Sequence, residues 1–294
     1  MSFFKGQPLK MNAAPSVPNT DLWALLGRSR RVPLVMGIVN VTPDSFYAGS
    51  RFGPREAADE ALRQVEAGAD LVDIGGQSTR PGSDPIVLED ELARTVPVFE
   101  FLAGRVAVPL SIDTDKARVA RECLAAGAAV LNDVSSLRND PEMAEAALGA
   151  QAVILMHRGG CSSKTMQDAP YYGDAVGEVK AFLVERRETF RLAGGDPARV
   201  LLDPGIGFGK DLGHNLSLLK HLDEIVNLGP LVLGVSRKSF LGRVTPDAGP
   251  EDRLEGSLAV ACWAALRGVK ILRVHDVRAT QRALAALAAV LGAA

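Results

Sequence analysis

From residue 35 onward the chain alternates between short, nearly unbroken apolar runs and longer stretches whose apolar residues recur at helical spacing. The first run, "VMGIVN", reads as a buried strand. It is followed by a helical stretch over 54–67, opened by Pro54 and stopped by Gly68, with Ala58, Leu62, Val65 and Ala69 spaced for one buried face. The same pairing then repeats. "DLVDIGG" precedes a helix over 88–103, "PLSIDT" a helix over 115–126, "AVLNDV" a helix from Pro141, and "AVILMH" a long helix over 174–193. "VLLDPG" precedes a helix near 214–222, "PLVLGV" one over 251–267, and "KILRVHDV" one over 277–291. Strands that are apolar along their whole length are those of a parallel sheet covered on its outer face. Eight βα units in succession predict an α/β fold of the (β/α)8 TIM-barrel kind rather than an open doubly wound sheet. Residues 33–294 are expected to form this single barrel domain. Residues 1–32, with Pro8, Pro15, Pro18 and the short amphipathic piece "TDLWALLGR", are expected as an N-terminal arm outside the repeat.

The polar residues that interrupt this pattern are not scattered. Asn40, Asp73, Asp113, Asn132 with Asp133, His157, Asp203, Ser236, and Arg273 with His275 all fall at or just past the C-terminal end of a predicted strand. In a (β/α)8 barrel those ends share one rim, where active sites are built. Burying so many polar groups there costs stability unless a ligand, a metal or the groups themselves satisfy them. Asp115 and Asp140 stand just before helices and read as caps.

Composition narrows the chemistry. With 47% hydrophobic and 23% charged residues, the chain is an ordinary soluble globular protein. A net charge of −2 and 5% aromatic content argue against a nucleic-acid surface or a base-stacking platform. Three dispersed cysteines without a CxxC pair suit a reducing cytosol. The opening segment shows no long apolar core of a secretory signal, and no apolar run is long enough to span a bilayer. A cytoplasmic protein without membrane attachment is expected.

The loops point to anions. "GVSRKSF" places Ser236, Arg237 and Lys238 at the start of a helix or turn, where N–H groups and cations can meet an anion. "DIGGQSTRPG" offers Ser78, Thr79 and Arg80 on a loop stiffened by Pro81, and Arg273 and His275 lie two apart on one strand and face the same side. "DPGIGFGK" has glycines for close approach, yet matches neither dinucleotide nor P-loop spacing. His157 and His275 form no zinc-type pair, so a Mg2+–phosphate substrate fits better. No nucleophile with an adjacent base is found; Cys161 stands on a loop without a placed partner.

In order along the chain, "MGIVNVTPDSF", "DIGGQSTRPG", "SIDTDK", "LNDVS", "MHRGG", "KTMQ", "DPGIGFGK", "GVSRKSFLG" and "RVHDV" resemble the dihydropteroate synthase family from about residue 34 to the C-terminus. That resemblance implies a barrel enzyme of folate biosynthesis and a sulfonamide target. Such an enzyme joins 6-hydroxymethyl-7,8-dihydropterin pyrophosphate to p-aminobenzoate with Mg2+, by early departure of pyrophosphate. It further implies roles by position. Asp203 would accept the N–H groups of the pterin edge, Asn132 would read further ring nitrogens, and Lys238 would meet the ring carbonyl and N5 side. Asp113 would lie against the ring as positive charge develops, with Met156 and Val134 packing around the ring and Phe208 near the arylamine. Asn40, through Mg2+, with Thr79, Arg273 and His275, would hold the pyrophosphate. Ser236 would hold the p-aminobenzoate carboxylate, and Phe46, Arg80 and Pro81 would belong to loops that complete this second pocket. The chain departs from the family pattern at Gln77, where Glu is usual, at Tyr47 and Ala48 in the first loop, and in "NDVSS", where the motif ends in Gly. A pterin-binding methyltransferase domain and a catalytically silent pterin-binding paralogue are the alternatives. The last two helices carry small apolar residues around much of their circumference, which with the family habit implies a homodimer through the C-terminal helices.

Overall fold

The computed structural model describes residues 21–28, 30–41, 53–78, 84–160, 171–245 and 249–293. Eight parallel strands, β1 (Leu34–Asn40), β2 (Leu71–Gly75), β3 (Leu110–Asp113), β4 (Val130–Asp133), β5 (Ala152–Met156), β6 (Val200–Asp203), β7 (Val232–Gly234) and β8 (Ile271–Val274), run in the order β6-β5-β4-β3-β2-β1-β8-β7. The two ends of that order meet: Leu202 bridges to Leu231 in parallel, and the Leu202 N–H donates to the Pro230 carbonyl at 3.0 Å. The sheet thus curls into the expected barrel.

Around it lie α2 (Pro54–Glu66), α3 (Leu88–Leu102), α4 (Ala117–Ala125), α5 (Met143–Ala147), α6 (Ala175–Leu192), α7 (Leu212–Lys220), α8 (Leu222–Val226), α9 (Ser239–Val244), α10 (Leu254–Leu266) and α11 (Val277–Gly292), preceded by α1 (Leu22–Leu26). The helix near 214–222 is two pieces, broken at His221, and α9 is a short helix that the periodicity does not mark. Among the described residues, no helix is long and apolar enough to cross a membrane.

Side chains on a strand alternate between its faces, and the two apolar clusters separate on that rule. Val35, Val39, Val72, Ile74, Leu131, Val153, Leu155, Leu202, Leu233 and Leu272 pack outward against the helices. Leu34, Met36, Leu71, Val130, Ala152, Ile154, Leu201, Val232 and Ile271 pack together inside the lower barrel. The floor of that inner cluster is closed by α1. Leu22, fully buried, and Leu25 enter the cluster, Asp21 caps the helix by accepting the Trp23 N–H at 2.9 Å, and the Trp23 indole donates to the Gln151 carbonyl at 3.0 Å. The amphipathic piece at 22–26 therefore belongs to the core, although it lies outside the βα repeat.

The buried face of α2 differs from the spacing expectation. Ala57, Ala58, Ala61 and Gln64 are buried, whereas Leu62 and Val65 are only partly so. Gln64 explains the rotation: its Nε2 donates to the Ile38 carbonyl at 2.8 Å, in the space left by Gly37, where a Cβ would lie 1.9 Å from Gln64 Oε1. A small-residue face lets helix and strand approach, and the larger Leu62 and Val65 pack at its side.

Because Leu22 fills the barrel floor, Leu22→Ala is expected to cost about 3 kcal/mol of unfolding free energy. The change should appear as a lower urea midpoint at unchanged slope.

Candidate active site

Continued upward, the inward-facing positions change from apolar to polar. Above Met36 comes Asn40, above Leu71 comes Asp73, Ser111 is followed by Asp113, and Asn132, Met156, Asp203 and Arg273 stand above Val130, Ile154, Leu201 and Ile271. Register levels them: Asp73 pairs with Ser111, Asp113 with Asn132, and Met156 with Asp203. Arg273 ties the group together. Its Nε donates to Asp73 Oδ2 at 2.6 Å and its Nη2 to Asp113 Oδ2 at 2.8 Å, while Asn132 Nδ2 donates to the same Asp73 oxygen at 3.0 Å. Asp73 is fully buried and Asp113 nearly so. Asp73 Oδ1, Ser111 Oγ and Asp113 Oδ1 are buried oxygens that make no hydrogen bond among the described residues. Buried polar atoms normally have partners, so this layer is built to receive donors from a ligand.

Burial pushes the Asp113 carboxyl up to about 8, with Arg273 opposing the rise and the charges of Asp73, Glu91 and Asp115 adding to it. Burial also raises Asp203, opposed by the Gly205 N–H and by Lys238. It lowers the Lys238 ammonium to about 7, with Asp203 holding it up.

The second wall is the loop after β6. Asp203 Oδ1 accepts the Gly205 N–H at 2.7 Å, and Lys238 Nζ donates to the Ile206 carbonyl while lying 4.0 Å from the centre of the Phe208 ring. At the rim, Ser236 Oγ lies 3.2 Å from His275 Nδ1 and accepts the His275 N–H at the same distance. Val134 is buried just beyond β4.

Three residues of the sequence reading stand apart from this polar cluster. Arg237 adopts a left-handed backbone (φ 55°) and forks its guanidinium onto Asp276, with Nε–Oδ2 and Nη2–Oδ1 both 2.8 Å, so it shapes the turn rather than an anion site. Asp133 has the outward parity and accepts the Ser135 and Leu137 N–H groups at 2.7 Å. His157, also outward, packs edge-on against Phe182 at 4.8 Å, and burial lowers its imidazole to about 2. Phe46, Thr79, Arg80 and Pro81, with Tyr47, Ala48 and Cys161, lie outside the described residues. Asp73, by contrast, is no more than a polar strand end in the sequence, yet it is bonded to both Asn132 and Arg273. Strand parity identifies it, since it shares the inward face with Leu71.

The pterin binding enzyme family matches residues 36–275. Dihydropteroate synthase of Escherichia coli (strain K12) is 44% identical over 263 residues, which cover 89% of this chain and 93% of that protein. The chain belongs to the dihydropteroate synthase family. Xanthomonas albilineans dihydropteroate synthase, solved with 4-aminobenzoic acid, has a TM-score of 0.83 at 47% identity over 92% of this chain and 95% of that one. The same enzyme in complex with 7,8-dihydropteroate has a TM-score of 0.79 at 44% identity, over 92% and 96% of the two chains.

Two departures from the family motifs can be located. Gln77 Oε1 accepts Lys116 Nζ at 2.7 Å and the Ile86 N–H at 3.1 Å, joining both ends of the β2–α3 connection. Lys116 already faces the fully buried Glu91 carboxylate at 2.5 Å, so a neutral acceptor at 77 leaves one cation against one anion. Ser136, where the family motif ends in Gly, has a left-handed φ of 55° and donates its hydroxyl to the Met156 carbonyl at 2.8 Å. That bond offsets strain a glycine would not carry.

With its carboxyl raised from 3.8 to about 8, folded Asp113 keeps a proton that the unfolded chain releases. Its contribution therefore favours the folded state at low pH and is lost as pH rises through about 8. The melting temperature should fall between about pH 4 and pH 8, and Asp113→Asn should flatten that fall in a thermal-shift series.

Proposed function

We infer that this chain condenses 6-hydroxymethyl-7,8-dihydropterin pyrophosphate with p-aminobenzoate, forming 7,8-dihydropteroate and releasing pyrophosphate. The observation that carries the reading is the convergence of Asp73, Asp113, Asn132, Asp203, Lys238 and Arg273 inside one barrel mouth, with buried oxygens of Asp73, Ser111 and Asp113 left to accept donors. A pterin's amino-pyrimidinone edge presents adjacent N–H donors, which suit a carboxylate accepting two bonds. Asp203 takes this role, and Asn132 reads further ring nitrogens. Lys238 faces the ring carbonyl and N5 side, and Met156 and Val134 enclose the ring with Phe208 toward the amine.

In the reaction, the bond from the pterin methylene carbon to the pyrophosphate oxygen breaks, and its electron pair leaves on oxygen. The amine nitrogen then bonds to that carbon and loses a proton. No enzyme nucleophile is needed. What helps is fixed negative charge beside the developing cation and positive charge beside the leaving group. Asp113 supplies the first once ionised, the developing cation favouring loss of the proton that burial keeps on its carboxyl in the free protein. Arg273, whose Nε and Nη2 fix the two carboxylates, gives its remaining donors to the pyrophosphate together with His275 and Thr79. Ser236 holds the p-aminobenzoate carboxylate, and Phe46, Arg80 and Pro81 are proposed to complete that second site.

Among the described residues, no three His, Cys, Asp or Glu side chains form a metal cage. Mg2+ characteristically takes one or two protein oxygens and completes its shell with phosphate and water. Asn40, an oxygen donor at the mouth end of β1, fits that mode. When bound there, Mg2+ would neutralise the leaving pyrophosphate.

A second copy of the chain is proposed to pack on α10 and α11, where Trp263, Leu266, Val290 and Leu291 are exposed. Sedimentation at micromolar concentration should show a dimer; a pure monomer would contradict this.

The function is tested by mixing the protein with dihydropterin pyrophosphate, p-aminobenzoate and Mg2+, omitting each in turn, and following both products. Equal appearance of dihydropteroate and pyrophosphate is expected. Pterin binding without product would instead indicate a silent paralogue. Asp203→Ala is expected to abolish pterin binding in calorimetry, and near-normal affinity would remove Asp203 from its role.

A further inference from the structure

Lys210, the last residue of "DPGIGFGK", is 3% exposed and meets no substrate in the scheme above. Its Nζ lies 2.9 Å from His157 Nδ1 and donates to the carbonyls of Gly205 at 2.9 Å, Phe208 at 3.0 Å and His157 at 3.3 Å. Four acceptors thus crowd one ammonium that carries three protons. An ammonium is costly to bury unless it is well bonded, and the loop supplies the acceptors. Gly205, Gly207 and Gly209 have φ of 67°, 82° and 66°, and along this left-handed path the Gly205 and Phe208 carbonyls, which accept the Phe208 N–H at 3.1 Å and the Gly159 N–H at 3.3 Å, give their second lone pairs to Lys210. The path is also pressed against the end of β5. A Cβ at 205 would lie 1.9 Å from the His157 oxygen, and one at 209 would lie 2.6 Å from Gly159 Cα.

We propose that Lys210 is a positioning residue for the pterin pocket, clasping the loop after β6 to the end of β5 so that Phe208 and the Ile206 carbonyl are presented to Lys238. The chain of contacts is short. Lys210 holds the carbonyls of Gly205 and Phe208. Between them, the Ile206 carbonyl accepts from Lys238, and the Phe208 ring lies beneath the same ammonium. The Gly205 N–H is itself the donor to Asp203. His157 is suited to the task because burial and the charges of Lys210 and Arg138 keep its ring neutral, leaving Nδ1 to accept and the proton on Nε2. Burial lowers the Lys210 ammonium to about 7, with Asp203 holding it up and Lys238 pushing it further down.

The proposal rests on the pterin reading and is tested by calorimetry with 6-hydroxymethylpterin on wild type and Lys210→Met, after circular dichroism has established the folded fraction. The dissociation constant per folded molecule should rise by about ten-fold or more. The KM for dihydropterin pyrophosphate should rise by about the same factor, with a smaller change in kcat. A residue that only stabilised the fold would lower the melting temperature and the folded fraction and leave both constants alone. Constants within about two-fold of wild type therefore overturn the positioning role. Absence of pterin binding by the wild type would overturn the functional reading and this role with it. Should Lys210→Met not fold, Lys210→Gln, which keeps two donors on a shorter arm, decides by the same criteria.

Discussion

Arg273 holds two buried carboxylates at once, Asp73 through Nε and Asp113 through Nη2, in the middle of a barrel whose lower half is sealed with aliphatic side chains. Both acids take a charge-assisted hydrogen bond from Arg273. Removing the shared cation would leave buried charge uncompensated, a loss of about 3–5 kcal/mol for a buried pair. Arg273 in turn fixes the acids' orientation, because a planar fork bonded at two nitrogens cannot swing. Through Asp73 the constraint reaches Asn132, and through register it reaches the ends of β2, β3, β4 and β8. The upper barrel is thus organised around charge, and its geometry is set before any substrate enters.

That arrangement needs a rigid base, which the apolar floor supplies. The aliphatic side chains of the inner cluster, with Leu22 and Leu25 inserted from below, close the barrel at the end away from the chemistry. The two ends divide the work: packing at one supplies stability, and unsatisfied oxygens at the other supply function. The proton held by Asp113 belongs to the same division, since a carboxyl kept protonated by burial favours the fold while awaiting a ligand that favours the anion.

The rim residues are positioned by less regular means. Arg237 is forced left-handed and bound to Asp276, which leaves its neighbours Ser236 and Lys238 facing the cavity side. Three left-handed glycines carry Phe208 beneath Lys238, and Gln77 ties position 77 to position 86 through one oxygen. Each is a local turn held by side-chain bonds rather than by a sheet ladder.

The sequence alone determined that the chain alternates strand and helix eight times, that the polar residues gather at strand C-termini, and that its motifs are those of one enzyme family. Periodicity and position carry that information without coordinates. The parity of each strand was legible too: counting in steps of two from Leu71 or Leu201 selects Asp73 and Asp203, and the same count from Leu131 sends Asp133 outward. What only the tertiary structure decided is which polar groups satisfy one another. Arg273 could have met pyrophosphate alone, Arg237 could have joined an anion site, and the segment at 22–26 could have lain free of the barrel. Their actual partners, Asp73 and Asp113, Asp276, and the barrel floor, come from elements far away in sequence. Burial set by the closed barrel, and not any local preference of the chain, makes those pairings necessary.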